Sequence, residues 1–412
     1  MNFDRFVQEY SYAQLGLLKM ISLNPTSFQN SGIFRRILSY IKNYILIDFE
    51  LIDSKKYKES NCKGVIFLCV NNENEAVNLT GLLGNISEIN IKSCGRYNPI
   101  TKRGNIIPRF WLFISLLISP FLLVYYIFKY QKINHLKYSA DRVLIGFAYY
   151  IYYKKKIKLY NPSKVKIVIS NHNNPISDAL LQAASGYTGI VTYYIEHCPL
   201  IENWPPIEVD YLVLATNVSL QRISKKWNNE KLFFISTTKY TDNSRVPNNK
   251  IGIGLAISPN DDMLCVQSAL RFLRSNFTNP IIVRCHPELG SSRDKILTDL
   301  DLGINIMNPK YFSVDDFLSS IRMLAVSDSG IFFDSWSAGV LPVKVRFGKI
   351  CSEYTVKDSL LKGLHEFDAE LIKIINEYIY EDRSMEIRNS FKQYISIGQS
   401  NLREFHFDML TD

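Results

Sequence analysis

Cysteine supplies no scaffold to this chain. The seven cysteines (Cys62, Cys69, Cys94, Cys198, Cys265, Cys285 and Cys351) are scattered, odd in number and never spaced as CxxC. That argues against a disulfide framework or a zinc site and fits a reducing cytosol. The N-terminus, Met1-Asn2-Phe3-Asp4-Arg5, lacks the basic-then-apolar pattern of a secretory leader, so none is expected. Internal repeats and low-complexity tracts are absent. No Asp-x-Asp motif stands in a fitting place, and Asp261-Asp262 is expected to open a helix, so metal independence is expected.

What is present describes a folded two-domain chain. Its 412 residues exceed what one core usually holds. A hydrophobic content of 47% with 21% charged residues fits a globular protein rather than a disordered one. The net charge is +9, and the basic residues cluster. Lys102-Arg103, Arg109, Lys129 and Lys132 flank an apolar run, and Lys154-Lys155-Lys156 and Lys158 follow it. That placement suits an anionic membrane surface. Nucleic acid, which would want a basic stripe with its own binding module, is not expected as a partner.

The run itself, Phe110 to Phe128, carries no charged residue. It reaches the length of a membrane span. Pro120 in its middle, basic residues at both ends and the amphipathic rings of Trp111, Tyr125, Tyr126 and Tyr130 favour a segment lying in the interface (106–130). A buried core helix is the competing reading. The expected location is the cytoplasm, peripheral or monotopic at the inner face of the plasma membrane.

Strand-like runs alternate with helix-like ones on both sides of a polar, proline-containing linker, 236–250. Before it come strands at 64–70, 88–92, 165–170, 189–195, 210–216 and 231–235, with helices at 73–83, 133–153, 177–184 and 218–227. After it come strands at 251–257, 281–285, 304–307 and 323–326, with helices at 261–277, 293–300, 314–321 and 331–339. Such alternation implies parallel sheets covered on both faces. The expected fold is α/β: two doubly wound Rossmann-like domains with an interdomain cleft. The expected boundaries are 1–240 and 251–366, with charged helices at 367–412 packing back on the first domain.

Two polar clusters follow strands of the second half. One is His286-Pro287. The other is Ser327-Asp328-Ser329-Gly330, which also opens a helix. Ligands of open parallel sheets sit beyond the carboxyl ends of strands, and a helix N-terminus attracts anions, phosphate above all. His286, Ser327, Ser329 and the amides at Gly330 are therefore expected to hold one donor phosphate between neighbouring strand tips. In the first half, Glu196 and His197 follow a strand and are candidates for the base that takes a proton from an acceptor hydroxyl. For Glu196, pairing with a nearby lysine is an equally good account. His172 and Asp178 either line an acceptor pocket or, for Asp178, lie in a helix's first turn.

With these residues in view, the chain resembles the two-domain (GT-B) glycosyltransferases of bacterial surface polysaccharide synthesis. The nearest groups are sialyltransferases, polysialyltransferases and capsule Kdo transferases. His286-Pro287 and Ser327-Asp328-Ser329 match their His-Pro and Ser/Thr-rich motifs. The place of their acidic Asp/Glu-Asp/Glu-Gly motif reads Tyr194-Ile195-Glu196-His197-Cys198 here, with one acid, a histidine and no glycine. The resemblance covers roughly residues 165–346. It implies an inverting transfer from a CMP-activated sugar, a sialic-acid-like nonulosonate or Kdo, to a capsule, lipopolysaccharide or lipooligosaccharide glycan, with no cofactor. Two alternatives stay open: a CDP-polyol (glycerol) phosphotransferase, and a non-catalytic assembly scaffold. An acyltransferase His-x4-Asp motif misses by one residue at His172 and Asp178.

Overall fold

In the computed structural model the described residues are 3–7, 64–71, 75, 79, 90–94, 97–98, 103–104, 121–122, 124–130, 140–171, 174–197, 208–223, 227–235, 251–258, 261–286, 297–298, 300, 302–327, 329–347, 365–395 and 402–410. They fall into two compact units, 1–239 with 397–412, and 240–396.

The first unit is built on a seven-stranded parallel sheet. Its strands are β1 (Val65–Cys69), β2 (Asn90–Ser93), β5 (Val165–Ile169), β6 (Val191–Ile195), β7 (Tyr211–Leu214), β8 (Leu232–Phe234) and β14 (Arg403–Glu404), in the order β14-β8-β7-β6-β5-β1-β2. A separate antiparallel pair, β3 (Tyr97–Asn98) and β4 (Arg103–Gly104), stands apart. β1 is wholly apolar and wholly buried, as a parallel strand covered on both faces must be. Helix α1 (Ala140–Ile157) crosses α2 (Pro175–Ala184) on one face, where Tyr149, Tyr150 and Tyr153 are buried. The Tyr153 hydroxyl avoids an unpaired burial by donating to the Cys94 carbonyl at 2.6 Å. Helix α3 (Asn217–Ile223) follows β7.

The second unit has a five-stranded parallel sheet in the order β11-β10-β9-β12-β13. These strands are β9 (Gly252–Ile257), β10 (Ile281–Cys285), β11 (Asn305–Ile306), β12 (Ile321–Val326) and β13 (Leu341–Lys344). Helices α4 (Met263–Asn276), α5 (Val314–Ser319), α6 (Ile331–Ser337), α7 (Ala369–Ile379) and α8 (Ser384–Ile395) cover it. Glycine is required in β9. A Cβ on Gly252 would lie 2.7 Å from the Ser320 carbonyl, and one on Gly254 would collide with Ile321. The helices of 367–412 depart from expectation. Leu371, Ile375, Ile387 and Phe391 of α7 and α8 are buried in the second unit's core, with Trp336 against Phe391. Among the described residues, 402–410 do pack back on the first unit as expected: β14 pairs with β8, and Phe405 and Leu410 are buried in that unit's core.

The linker 236–250 and the expected helices at 73–83 and 293–300 lie largely or wholly outside the described residues. So does most of the apolar run. Among the described residues no helix is long and apolar enough to cross a membrane.

Candidate functional site

In each sheet the chain starts at an inner strand, builds to one side and then returns to the other. In the second unit β9 leads to β10 and β11, after which β12 and β13 are added on the opposite flank. The topological switch point therefore lies between β9 and β12. All strands are parallel, so their carboxyl ends share one edge, where α/β ligands sit.

Three buried polar residues meet there. Ser258 follows β9, Ser327 follows β12, and Asp261 lies just ahead of α4; they are 3%, 2% and 7% exposed. The Ser258 amide donates to Asp261 Oδ2 at 2.7 Å, and the Ser327 hydroxyl donates to Asp261 Oδ1 in a short bond. Asp261 thus ties the two tips together. Its neighbour Asp262 caps α4 by accepting from the Leu264 amide at 2.9 Å, so this acidic pair does open a helix as expected.

The expected phosphate site needs two corrections. First, His286 and Ser327 do not stand on neighbouring strands. His286 extends β10, its amide donating to the Ile257 carbonyl at 2.8 Å, and β9 runs between β10 and β12. Two strand spacings separate the tips, about 10 Å. Second, the hydroxyl proton of Ser327 is directed to Asp261. Ser327 therefore braces the turn in this conformation and does not offer that proton to an anion. Ser329 is half-buried, Gly330 is exposed, and a Cβ at Gly330 would meet nothing within 4 Å. Pro287 and Asp328 lie outside the described residues.

The same edge of the first sheet is filled differently. Its switch point lies between β1 and β5. Glu75, fully buried, accepts from the Asn71 amide at 2.7 Å and from Asn171 Nδ2 at 2.8 Å, which joins the two tips. Ser177 stands 3.3 Å from Asn71 Nδ2 and 3.4 Å from the Cys69 thiol. Burial pushes that thiol up to about 12, so it is no nucleophile. Asp178 is 1% exposed in the first turn of α2, where the helix dipole favours an acid. His172 lies outside the described residues.

Glu196, beyond β6, is 0% exposed. It accepts from the amides of Ala215 (2.7 Å) and Thr216 (3.2 Å) and from the hydroxyls of Thr216 (2.6 Å) and Ser219 (2.7 Å). These donors belong to the turn from β7 into α3. Burial pushes its carboxyl up to about 7, against the hydrogen bonds that pull it down. That value suits a general base, but a base must come within hydrogen-bonding reach of the proton it takes. A side chain with no exposed surface does not meet an acceptor in this conformation. Among the described residues its donors include these hydroxyls and amides. His197, the next residue, is half-buried.

Glu75, Asn71 and Ser258 are not singled out in the sequence, and Asp261 is read there only as part of a helix start. Their signal is positional: each follows the end of a strand that flanks a switch point, which becomes visible only with the strand order known. Among the described residues no group of three or more His, Cys, Asp or Glu could hold a metal ion.

No protein-family model matches the chain, and no curated protein matches it in sequence. Solved structures do match in fold. MnaA from S. aureus, solved with UDP, aligns with a TM-score of 0.51 at 14% identity over 84% of this chain and 94% of that one. A Methanocaldococcus jannaschii UDP-GlcNAc 2-epimerase, in complex with UDP-GlcNAc and UDP, gives a TM-score of 0.51 at 12% identity, covering 80% and 98%. At this identity the likeness is one of fold. The chain has the two parallel α/β sheets of the GT-B-like architecture.

Proposed function

We propose that this chain is a nucleotide-sugar-using transferase of the GT-B type, which adds a sugar to a surface glycan or glycolipid. The observation that carries this reading is the braced edge of the second sheet. Asp261 locks the tips of β9 and β12, while Ser329 and Gly330 border the switch point and His286 stands at the tip of β10, on the other side of β9, all three with exposed or half-buried surface. Departure of a nucleotide leaves negative charge on phosphate. An imidazole N–H, a hydroxyl and backbone amides already in place stabilise that charge without reorganising. In the first unit, His197 is the base for the acceptor hydroxyl and Glu196 a buried positioning group behind it.

Two readings of the nucleotide have support. The His-Pro and serine motifs favour a CMP-linked donor, a nonulosonate or Kdo. The separation of about 10 Å between the tips of β10 and β12 suits a diphosphate or a phosphate with its sugar. That favours a UDP-linked donor, the nucleotide held by the two structural neighbours above. A thermal-shift screen of CMP, CDP, UDP and GDP against the purified chain separates them. Selective stabilisation by CMP or by UDP picks the donor class, and CDP points to the polyol-phosphate reaction. No shift with any of the four contradicts the nucleotide-sugar reading. Turnover is expected to survive EDTA.

A further inference from the structure

The helical residues 121–122 and 124–130 of the first unit have two unlike faces. Tyr126 and Tyr130 point inward, 1% and 6% exposed, with Tyr126 edge-on to Phe3 at 6.4 Å. Phe3 in turn packs on Phe147 of α1 at 4.9 Å. Asp4 pins this face. Its carboxylate pairs with Lys129 Nζ at 2.7 Å and accepts from the hydroxyls of Tyr125 (2.9 Å) and Tyr130 (2.8 Å). Those donors, Lys129 first, hold the carboxyl below its usual range.

The outer face is apolar and bare. Phe121 is 77% exposed, Val124 55% and Phe128 73%. The spacing of three and four residues puts them in one stripe along the helix. Single exposed apolar residues are ordinary, but a contiguous stripe on a pinned helix marks a contact surface. It is the end of the uncharged run that begins at Phe110.

We propose that the Phe121–Val124–Phe128 stripe docks onto an anionic lipid bilayer. Charge selects this occupant. Lys129 borders the stripe, 44% exposed, and the last turn of α1 carries Lys154, Lys155 and Lys156. Lys154 follows Phe147 by seven residues on the same side of α1, about 10 Å along it. A chain of net charge +9 repels a second copy of itself and is drawn to an acidic surface. Aromatic rings entering at headgroup depth, with basic residues on the same unit, are how an interfacial helix binds without crossing. The proposal does not depend on the donor assignment.

The test is flotation of the full chain with mixed phosphatidylcholine–phosphatidylglycerol vesicles and with phosphatidylcholine alone. Wild type floats with the mixed vesicles, less so in high salt. F121D/F128D lowers the bound fraction about tenfold or more, since two inserted rings are lost. Both sites are exposed, so the unfolding temperature should hold; if the double variant melts early, Phe128→Ser alone gives the same reading. Equal flotation of variant and wild type, or equal binding to neutral vesicles, overturns the proposal. So does a dimer in sedimentation velocity that F121D/F128D disperses while wild type stays off vesicles, which would assign the stripe to a second copy.

Discussion

The two sheets place polar residues at the same edge and use them in opposite ways. At the first sheet's edge, carboxylates are sealed. Glu75 and Glu196 have no exposed surface, and each collects donors from the neighbouring strand's turn. At the second sheet's edge one buried carboxylate, Asp261, braces the turns, while His286, Ser329 and Gly330 keep surface toward solvent. A buried carboxylate with fixed donors holds backbone in register, whereas the half-exposed imidazole at the tip of β10 and the serine turn after β12 keep surface that the proposed donor would use. Equivalent positions in a repeated topology therefore do not imply equivalent roles.

The comparison is broken most forcefully at His286. Replacing it by alanine should lower turnover about 10²- to 10³-fold, the usual cost of losing one preorganised donor at developing charge. The unfolding temperature should barely move, because the residue is only half-buried. Assay and melting curve together check this, and a large fall in stability would make His286 structural.

Glu196→Ala should show the reverse balance. Burying the abandoned donors of Ala215, Thr216 and Ser219 costs about 3 kcal/mol of stability, readable by urea denaturation. Unchanged stability with lost turnover would instead make Glu196 the base.

A subtler probe is pH. The folded state holds the Glu196 proton more tightly than the unfolded chain, with a carboxyl pushed up to about 7 against an ordinary 4.5. The group's stabilisation is complete below pH 4.5 and is lost as pH rises to about 7. Denaturant midpoints across that interval should fall for wild type and flatten for Glu196→Gln. Parallel profiles would place the shift elsewhere.

Much of the fold was legible in the sequence. Ile281–Cys285 is a strand with the expected bounds, because the apolar Ile281-Ile282-Val283 marks a parallel strand buried on both faces, Arg284 being buried with its guanidinium donating to the Phe312 carbonyl. The asparagine and proline at 174–175 begin α2, two residues ahead of the expected start, with Asn174 accepting from the Ile176 amide. The order of strands was not legible. Periodicity says that β9, β10 and β12 exist, but not that β9 separates the other two, so His286 and Ser327 were expected side by side. Nor does a sequence disclose access. Glu196 has the residue type and strand-end position of a base, and only the turn bearing Thr216 and Ser219 closes over it. The helices α7 and α8 were expected on the first unit because their charge masked an apolar stripe, Leu371, Ile375, Tyr378 and Ile379, that completes the second core.

The most direct test of a donor site at the β9/β12 edge is nucleotide binding to Gly330→Leu, followed by calorimetry. Nothing lies within 4 Å of a Cβ built at this exposed position, so the variant should melt with wild type. The bulk would nevertheless occupy the space that a bound phosphate needs. The account predicts that the best nucleotide binds wild type and fails to bind Gly330→Leu. Equal affinity for both proteins would contradict it.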